Sequence, residues 1–182
     1  MKPLETELTE LPQEVHDALY PAVGSLIIYW SLLEQSIESW VHLIYHHPGG
    51  NMGWEKTFPF VFRRKVTFLR MRFSDFPAID TLASDGLALL AEIEAAATKR
   101  DIFVHGALSG YEPATQRIKF VRLRVDKVNL IHQMNPDYVT IPQVLADGRI
   151  MLALTTASLG FAQRLADHLM GQDGDDAPSD GV

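Results

Sequence analysis

The stretch LYPAVGSLIIYWSLLEQSIESWVHLI (residues 19–44) gives the chain its helical character, because its apolar residues follow the period of an α-helix. They recur at steps of four and three positions: Leu19, Val23, Leu26, Trp30, Leu33, Ile37, Trp40 and Ile44. This spacing forms one stripe, which is typical of a helix packed along its length in a bundle. Pro21 marks a first turn or a kink, and His46-His47-Pro48-Gly49-Gly50 predicts the helix end.

Three more helices are predicted downstream, over about Phe58–Ser74, Ala78–His105 and Pro142–Met170. The last one carries a wide apolar face: Leu145, Leu152, Leu154, Leu159, Phe161, Leu165 and Leu169. Pro142 suits its first helical position.

The segment between the third and fourth helices has β character. Alternating residues predict a hairpin from Ala107–Tyr111 and Arg117–Val125, with a bulge near Phe120-Val121 and a short strand at Tyr138–Thr140. The predicted fold is therefore all-α: an up-and-down four-helix bundle with a small β-hairpin inserted before the last helix.

Composition indicates a soluble protein. The chain has 182 residues, 47% of them hydrophobic, which suits one domain. We expect a mobile acidic leader at residues 1–11, a helical domain at 12–170 and a disordered acidic tail at 171–182. The absence of cysteine fits a reducing compartment. No signal peptide is visible and no apolar run approaches a membrane span, so we expect a cytoplasmic protein without membrane contact.

The candidate site is Lys99-Arg100-Asp101-Ile102-Phe103-Val104-His105-Gly106. The spacing of apolar residues along the third helix predicts an apolar residue at position 100, but the residue there is Arg100. A charge on a packing seam costs free energy unless it is paired or opens into a wet groove, and such exceptions concentrate at functional sites. Asp101 and His105 are four apart and share one helix face.

This combination suits phosphodiester chemistry without a metal or other cofactor. His105 could move a proton from a ribose 2′-hydroxyl or to the leaving oxygen. Arg100 could hold the phosphate bidentately. Asp101 would set the state of the ring, since both it and the helix C-terminus favour imidazolium.

Arg100, Asp101 and His105 near the end of a third helix resemble the motif of the HEPN superfamily, and Trp30-Ser-Leu-Leu-Glu34 resembles the first helix of several bacterial HEPN-like proteins. The resemblance covers about residues 12–170. It implies a metal-independent endoribonuclease, frequently a toxin or defence protein, with a possible cognate antitoxin or neighbouring partner protein. It also implies a homodimer in which Arg and His of both subunits line one cleft. Asp101 replaces the Asn common in that family.

The net charge of −7 argues against general nucleic-acid attraction, but the basic block Arg63, Arg64, Lys65, Arg70 and Arg72 leaves a local RNA surface possible. The predicted RNA-binding residues are Arg63, Arg64, Lys65 and Lys99.

The alternative is a non-catalytic bundle that acts as a dimeric interaction or accessory module. Arg100 would then form a buried ion pair, with Glu34 or Glu94, and His105 would cap the helix. Glu34 is the favoured structural partner of the site.

Two further groups remain open. His42, His46 and His47 contain a pair spaced four apart that could bind a metal, but no nearby acid or Cys completes it, so no metal site is predicted. Trp30 and Trp40 lie on the apolar stripe, whereas Trp54 falls in a loop.

Overall fold

The computed structural model describes residues 10–54, 57–126 and 131–172. Within these ranges the chain forms four α-helices, one short 3-10 helix and three β-strands. Their order is α1 (Gln13–His46), α2 (Phe62–Asp75), the 3-10 helix (Pro77–Ile79), α3 (Asp80–His105), β1 (Ala107–Glu112), β2 (Arg117–Asp126), β3 (Ile131–Val139) and α4 (Ile141–Gln172). The predicted helical majority is confirmed.

The predicted terminal segments lie mostly outside the described ranges. Of the leader, residues 10 and 11 are described. Of the tail, Gly171 and Gln172 are described and belong to α4. The described residues divide into two compact units, one within residues 1–30 and 95–151 and the other within residues 31–94 and 152–182. The prediction of one helical domain over residues 12–170 stays a prediction.

Three aromatic rings form the centre of the unit of residues 31–94 and 152–182. The Trp40 ring centroid lies 4.5 Å from that of Phe161 and 6.3 Å from that of Phe73. Gly86 of α3 packs against them, because a Cβ at this position would lie 2.5 Å from Phe73 and 2.9 Å from Phe161. A side chain here would force these rings apart, which explains a glycine in the middle of a helix.

Helices α1 and α4 meet in this unit through buried polar groups. The hydroxyls of Ser36 and Ser158 lie 2.7 Å apart, and the Trp40 indole N–H donates to the Ser158 carbonyl at 2.9 Å. Nearer the C-termini of both helices, His46 and Met170 line one pocket. The two segments therefore run in the same direction, whereas an up-and-down order would make the first and fourth helices antiparallel.

The unit of residues 1–30 and 95–151 contains an antiparallel sheet in the order β1-β2-β3. The predicted hairpin is therefore a three-stranded sheet, and its third strand is nine residues long. The segment around Asn135-Pro136-Asp137 has no apolar alternation, and a strand assignment from periodicity fails there. Proline is tolerated because β3 is an edge strand.

A β-bulge lies close to its predicted position. Leu108 pairs with Phe120 and Gly110 pairs with Lys119, so Ser109 is the extra residue and belongs to β1. The sequence analysis placed the bulge near Phe120-Val121 of β2, whereas the extra residue lies on the paired strand β1.

A capping box begins α4. The Thr140 backbone N–H donates to the Gln143 side-chain oxygen at 2.9 Å, and the Gln143 N–H donates to the Thr140 hydroxyl at 3.4 Å. This reciprocal pair satisfies two backbone donors at the helix start. Pro142 is consequently the second helical residue and not the first.

Helix α2 begins four residues later than predicted, at Phe62. Pro59 disfavours helical geometry at Phe58. The first helical hydrogen bonds instead start from Val61, whose carbonyl accepts from the Arg64 and Lys65 N–H groups.

The apolar face predicted for α4 is only partly correct. Leu154, Phe161, Leu165 and Leu169 are buried, but Leu145, Leu152 and Leu159 are exposed. The buried stripe includes Thr155 and Ser158 in their place. Small residues allow close helix contact, so size and position outweigh hydrophobicity along this stripe.

By length and composition, α4 could also cross a membrane; among the described residues it alone passes this test. One such helix is weak evidence for a membrane span, because the core helix of a soluble protein passes the same test; 39% of the apolar window of α4 is buried. The expectation that no run approaches a membrane span is wrong in this limited sense. The fold is compatible with a soluble protein.

Candidate functional site

The predicted site lies at the C-terminal end of α3, and α3 ends at His105 as predicted. Gly106 follows, where a Cβ would lie 2.2 Å from the Ile102 carbonyl oxygen. The Phe103 ring packs edge-on against Phe120 of β2, with centroids 5.3 Å apart. A Cβ at Gly106 would also lie 3.3 Å from the Phe120 Cβ, so the helix end packs against the sheet through Gly106 and the Phe103 ring.

Arg100 is held by two neighbours in its own unit. Its Nη1 donates to Asp101 Oδ1 at 2.9 Å, and its Cζ lies 4.8 Å from the centroid of the Trp30 ring. The side chain is 19% exposed. Arg100 thus occupies the packing seam, as predicted, and stacks its guanidinium on an aromatic ring.

His105 lies on the outward side of the same helix end and is 63% exposed. Its Nε2 is 3.9 Å from Asp101 Oδ1, beyond hydrogen-bond distance. One carboxylate oxygen therefore lies between the guanidinium and the imidazole. The structure brings Arg100, Asp101 and His105 together and leaves the imidazole exposed to solvent.

Glu34 has a cationic neighbour on α2. Its Oε1 lies 3.7 Å from the Lys65 ammonium, and Glu38 Oε2 accepts a hydrogen bond from that ammonium at 2.9 Å. The pairing of Glu34 with Arg100 stays a prediction. Glu94, the other proposed partner of Arg100, forms an ion pair with Arg70.

The basic block does not form one cationic surface. Arg63 is exposed and Arg64 is half-buried, with its Nη2 donating to the Thr57 hydroxyl at 3.2 Å. Lys65 and Arg72 are buried, so these two members of the block are not part of an exposed cationic surface. RNA binding by Lys65 stays a prediction, although its side chain is only 4% exposed.

Lys99, the fourth predicted RNA-binding residue, lies on α3 and is exposed. It lines a small cleft of about 160 Å³ with Tyr138, Gln143 and Asp147. This cleft offers both a cation and a carboxylate, and therefore no uniform attraction for phosphate.

The histidines of α1 form a ring cluster. His42 and His46 stack with centroids 5.5 Å apart, and Phe58 lies 4.4 Å from His42. Among the described residues, no group of three or more His, Asp or Glu side chains is placed to hold a metal ion. Phe58 was missed by sequence reasoning, which placed it inside α2; the Phe-Pro-Phe sequence was the available signal.

The sequence matches no protein-family model, and no curated protein or solved structure shows significant similarity to it.

Proposed function

We propose that this protein is a HEPN-like, metal-independent endoribonuclease, with Arg100, Asp101 and His105 as its catalytic group. One observation supports this most directly: at a helix end, a guanidinium on the packing seam lies 2.9 Å from a carboxylate oxygen, and an exposed imidazole lies 3.9 Å from the same oxygen. A general acid or base and a phosphate-binding cation are the two functions that RNA cleavage through the 2′-hydroxyl requires.

The proposed reaction is an internal displacement at phosphorus. An imidazole removes the proton of the 2′-hydroxyl, and the 2′-oxygen bonds to phosphorus. The bond from phosphorus to the 5′-oxygen breaks, and that oxygen receives a proton. The products are a 2′,3′-cyclic phosphate and a 5′-hydroxyl. In a homodimer, the His105 side chains of two subunits would supply the base and the acid.

Arg100 would bind the phosphate in this scheme. Trp30 already orients its guanidinium, which reduces the side-chain entropy lost on binding. A phosphate would compete with Asp101 for the same Nη1, since Asp101 accepts from it at 2.9 Å. Asp101 therefore weakens substrate binding while it holds the Arg100 guanidinium in place.

The remaining parts of the proposal are a HEPN-type helical bundle, a cytoplasmic location and a homodimer with a composite cleft. A toxin or defence role, with a cognate antitoxin or neighbouring protein as partner, belongs to the same proposal. The bundle, the homodimer and the toxin or defence role are supported by the motif at Arg100–His105 and by its place in the third helix. The cytoplasmic location is supported by the absence of cysteine, which fits a reducing compartment.

The test is RNA cleavage in the presence of chelator, comparing wild type with His105→Ala and Arg100→Ala. His16→Ala and Arg164→Ala are matched controls, because His16 lies 3.3 Å from Asp17 and Arg164 lies 2.9 Å from Asp85. We expect both site variants to lose at least about 100-fold in rate and both controls to keep wild-type rates. Circular dichroism and light scattering would verify folding and assembly. Cleavage of an all-deoxy substrate, or full activity in either site variant, would contradict the mechanism.

A second candidate is a non-catalytic dimeric interaction module. It is favoured by Leu145, Leu152 and Leu159, which lie seven residues apart on α4 and are exposed. A leucine repeat of this spacing is typical of helix pairing. Leu152→Lys with Leu159→Lys should convert a dimer to a monomer in light scattering, and unchanged mass would exclude this face as the interface.

A further inference from the structure

Four aromatic rings lie in sequence along the surface of the unit of residues 31–94 and 152–182. His46 stacks on His42 with an interplanar angle of 21°. The Phe58 centroid lies 4.4 Å from that of His42, and the Phe60 centroid lies 5.1 Å from that of Phe58. These four residues are called the ring row below.

The backbone holds the phenylalanine end of the ring row in place. Pro59 is buried between the two phenylalanines, and the Phe60 N–H donates to the Phe58 carbonyl at 3.0 Å. This three-residue turn, with the φ of Pro59 fixed by its ring, orients both phenyl groups before any ligand binds. Little conformational entropy would be lost on binding.

The outer end of the ring row is not core. Phe60 is 71% exposed, although a phenylalanine ring normally contributes to stability by burial. Folding alone gives no reason for an aromatic residue at this position. An exposed ring beside other rings offers a flat face on which a planar group can stack.

Cations follow the ring row directly. Arg63 is exposed three residues after Phe60, and Arg64 is anchored through Thr57 at 3.2 Å. The first turn of α2 contains no acidic residue. Glu38 on α1 lies close to the ring row, with Oε1 3.9 Å from His42 Nε2, and its Oε2 accepts a hydrogen bond from the Lys65 ammonium at 2.9 Å, which offsets part of its charge.

A pocket adjoins the histidine end. His42 and His46 line a space of about 340 Å³ with Leu43, Leu169 and Met170. This volume is in the range of small-ligand pockets, and its lining is mainly apolar. A planar base could extend from the rings into it.

We propose that the ring row, together with Arg63 and Arg64, binds single-stranded RNA. Unpaired bases stack on Phe60 and the adjoining rings, and the arginines contact the backbone phosphates. Aromatic faces combined with cations are the usual means of binding single strands without sequence preference. The inference rests on the proposed function, since it supplies the surface that holds the substrate, but it concerns binding and not cleavage.

The experiment measures binding of a fluorescent 2′-O-methyl oligonucleotide by anisotropy, because this probe cannot be cleaved through a 2′-hydroxyl. Phe60→Ala should weaken binding by roughly 5- to 100-fold. Arg63→Ala should reduce the slope of log Kd against log salt concentration by about 0.7. Met52→Ala and Arg149→Ala are the matched controls, as both residues are exposed and lie outside the ring row; both should bind as wild type does.

Three results would overturn the proposal: no wild-type binding at low salt, unchanged binding in Phe60→Ala, or equal competition by double-stranded RNA, whose bases cannot stack on protein rings. Binding of only an acidic peptide would likewise exclude RNA as the ligand. Loss of cleavage in His105→Ala with unchanged probe binding would support both proposals, because it would show that His105 acts in cleavage and the ring row in binding. Probe binding by a wild type that cleaves no RNA would refute the nuclease and leave this surface intact.

Discussion

Lys65 forms ion pairs with Glu34 and Glu38, and we expect removal of the lysine charge and removal of Glu38 to reduce folding stability by different amounts. The Lys65 side chain is 4% exposed, whereas the side chains of Glu34 and Glu38 are 29% and 39% exposed. Removing the lysine charge leaves carboxylates that water can still reach. Removing Glu38 leaves a buried ammonium whose remaining described carboxylate, Glu34, is 3.7 Å away. A buried charge that has lost its hydrogen-bonded partner is the more costly of the two.

The magnitudes follow from this difference. Glu38→Ala should lower the free energy of unfolding by about 2 kcal/mol, because the 2.9 Å charged hydrogen bond is lost inside the protein. In a chain of this size the melting temperature should fall by about 4–8 °C. Lys65→Met keeps the buried aliphatic stem and should stay within about 1 kcal/mol of wild type. The double variant should be more stable than Glu38→Ala alone by at least about 1 kcal/mol.

Urea denaturation followed by far-UV circular dichroism measures all three variants and gives the coupling free energy. The reasoning would be refuted if Lys65→Met cost more than Glu38→Ala, or if the double variant showed the sum of the two losses. A large loss of RNA binding in Lys65→Met, with folding intact, would instead return Lys65 to the RNA surface.

Contacts elsewhere in the structure can be tested in the same way. Asp101→Asn should lower the Kd for uncleavable RNA about 4- to 17-fold. The substitution removes the repulsion between the carboxylate and a phosphate on Arg100, at a separation of about 5 Å and an effective dielectric constant of about 40–80. Fluorescence anisotropy would measure the change, and weaker binding would count against a phosphate site. Gly86→Ala should lower the free energy of unfolding by about 1–3 kcal/mol, because the added methyl group overpacks the core. Gly160→Ala should raise it by about 0.5–1 kcal/mol, because the space around its Cβ position is open. Equal effects of the two substitutions in urea denaturation would contradict this packing. Thr140→Ala should lower the free energy of unfolding by about 0.5–2 kcal/mol, because the capping box is lost. An unchanged midpoint of urea denaturation would show that the cap contributes nothing to stability.

The helices could be predicted from the sequence because helical order is local. The apolar steps of four and three along α1 place Leu26, Leu33 and Ile37 on one buried stripe, as observed. The end of α3 at His105 was predicted because glycine follows it. The short distances among Arg100, Asp101 and His105 also follow largely from their spacing on one helix.

The sheet was predicted less well because β3 has little apolar alternation. Its pairing depends on β2, in a register where Leu123 lies opposite Met134 and Phe120 opposite Asp137. Pairing between strands is a non-local interaction, and a single segment read alone cannot reveal it.

Local sequence thus indicated the four helices and the candidate catalytic group, whereas long-range packing determined the burial of each charge and the neighbours of each ring. A cation next to an apolar stripe can face water or an acid on another helix; for Lys65 the approach of Glu34 and Glu38 on α1 determined the outcome. The ring row has the same origin, because His42 and Phe58 are far apart in sequence and stack only when the folded loop returns to α1. Hydrogen bonds within a helix join residues four apart and are encoded in short stretches, but side-chain burial depends on which distant surfaces meet.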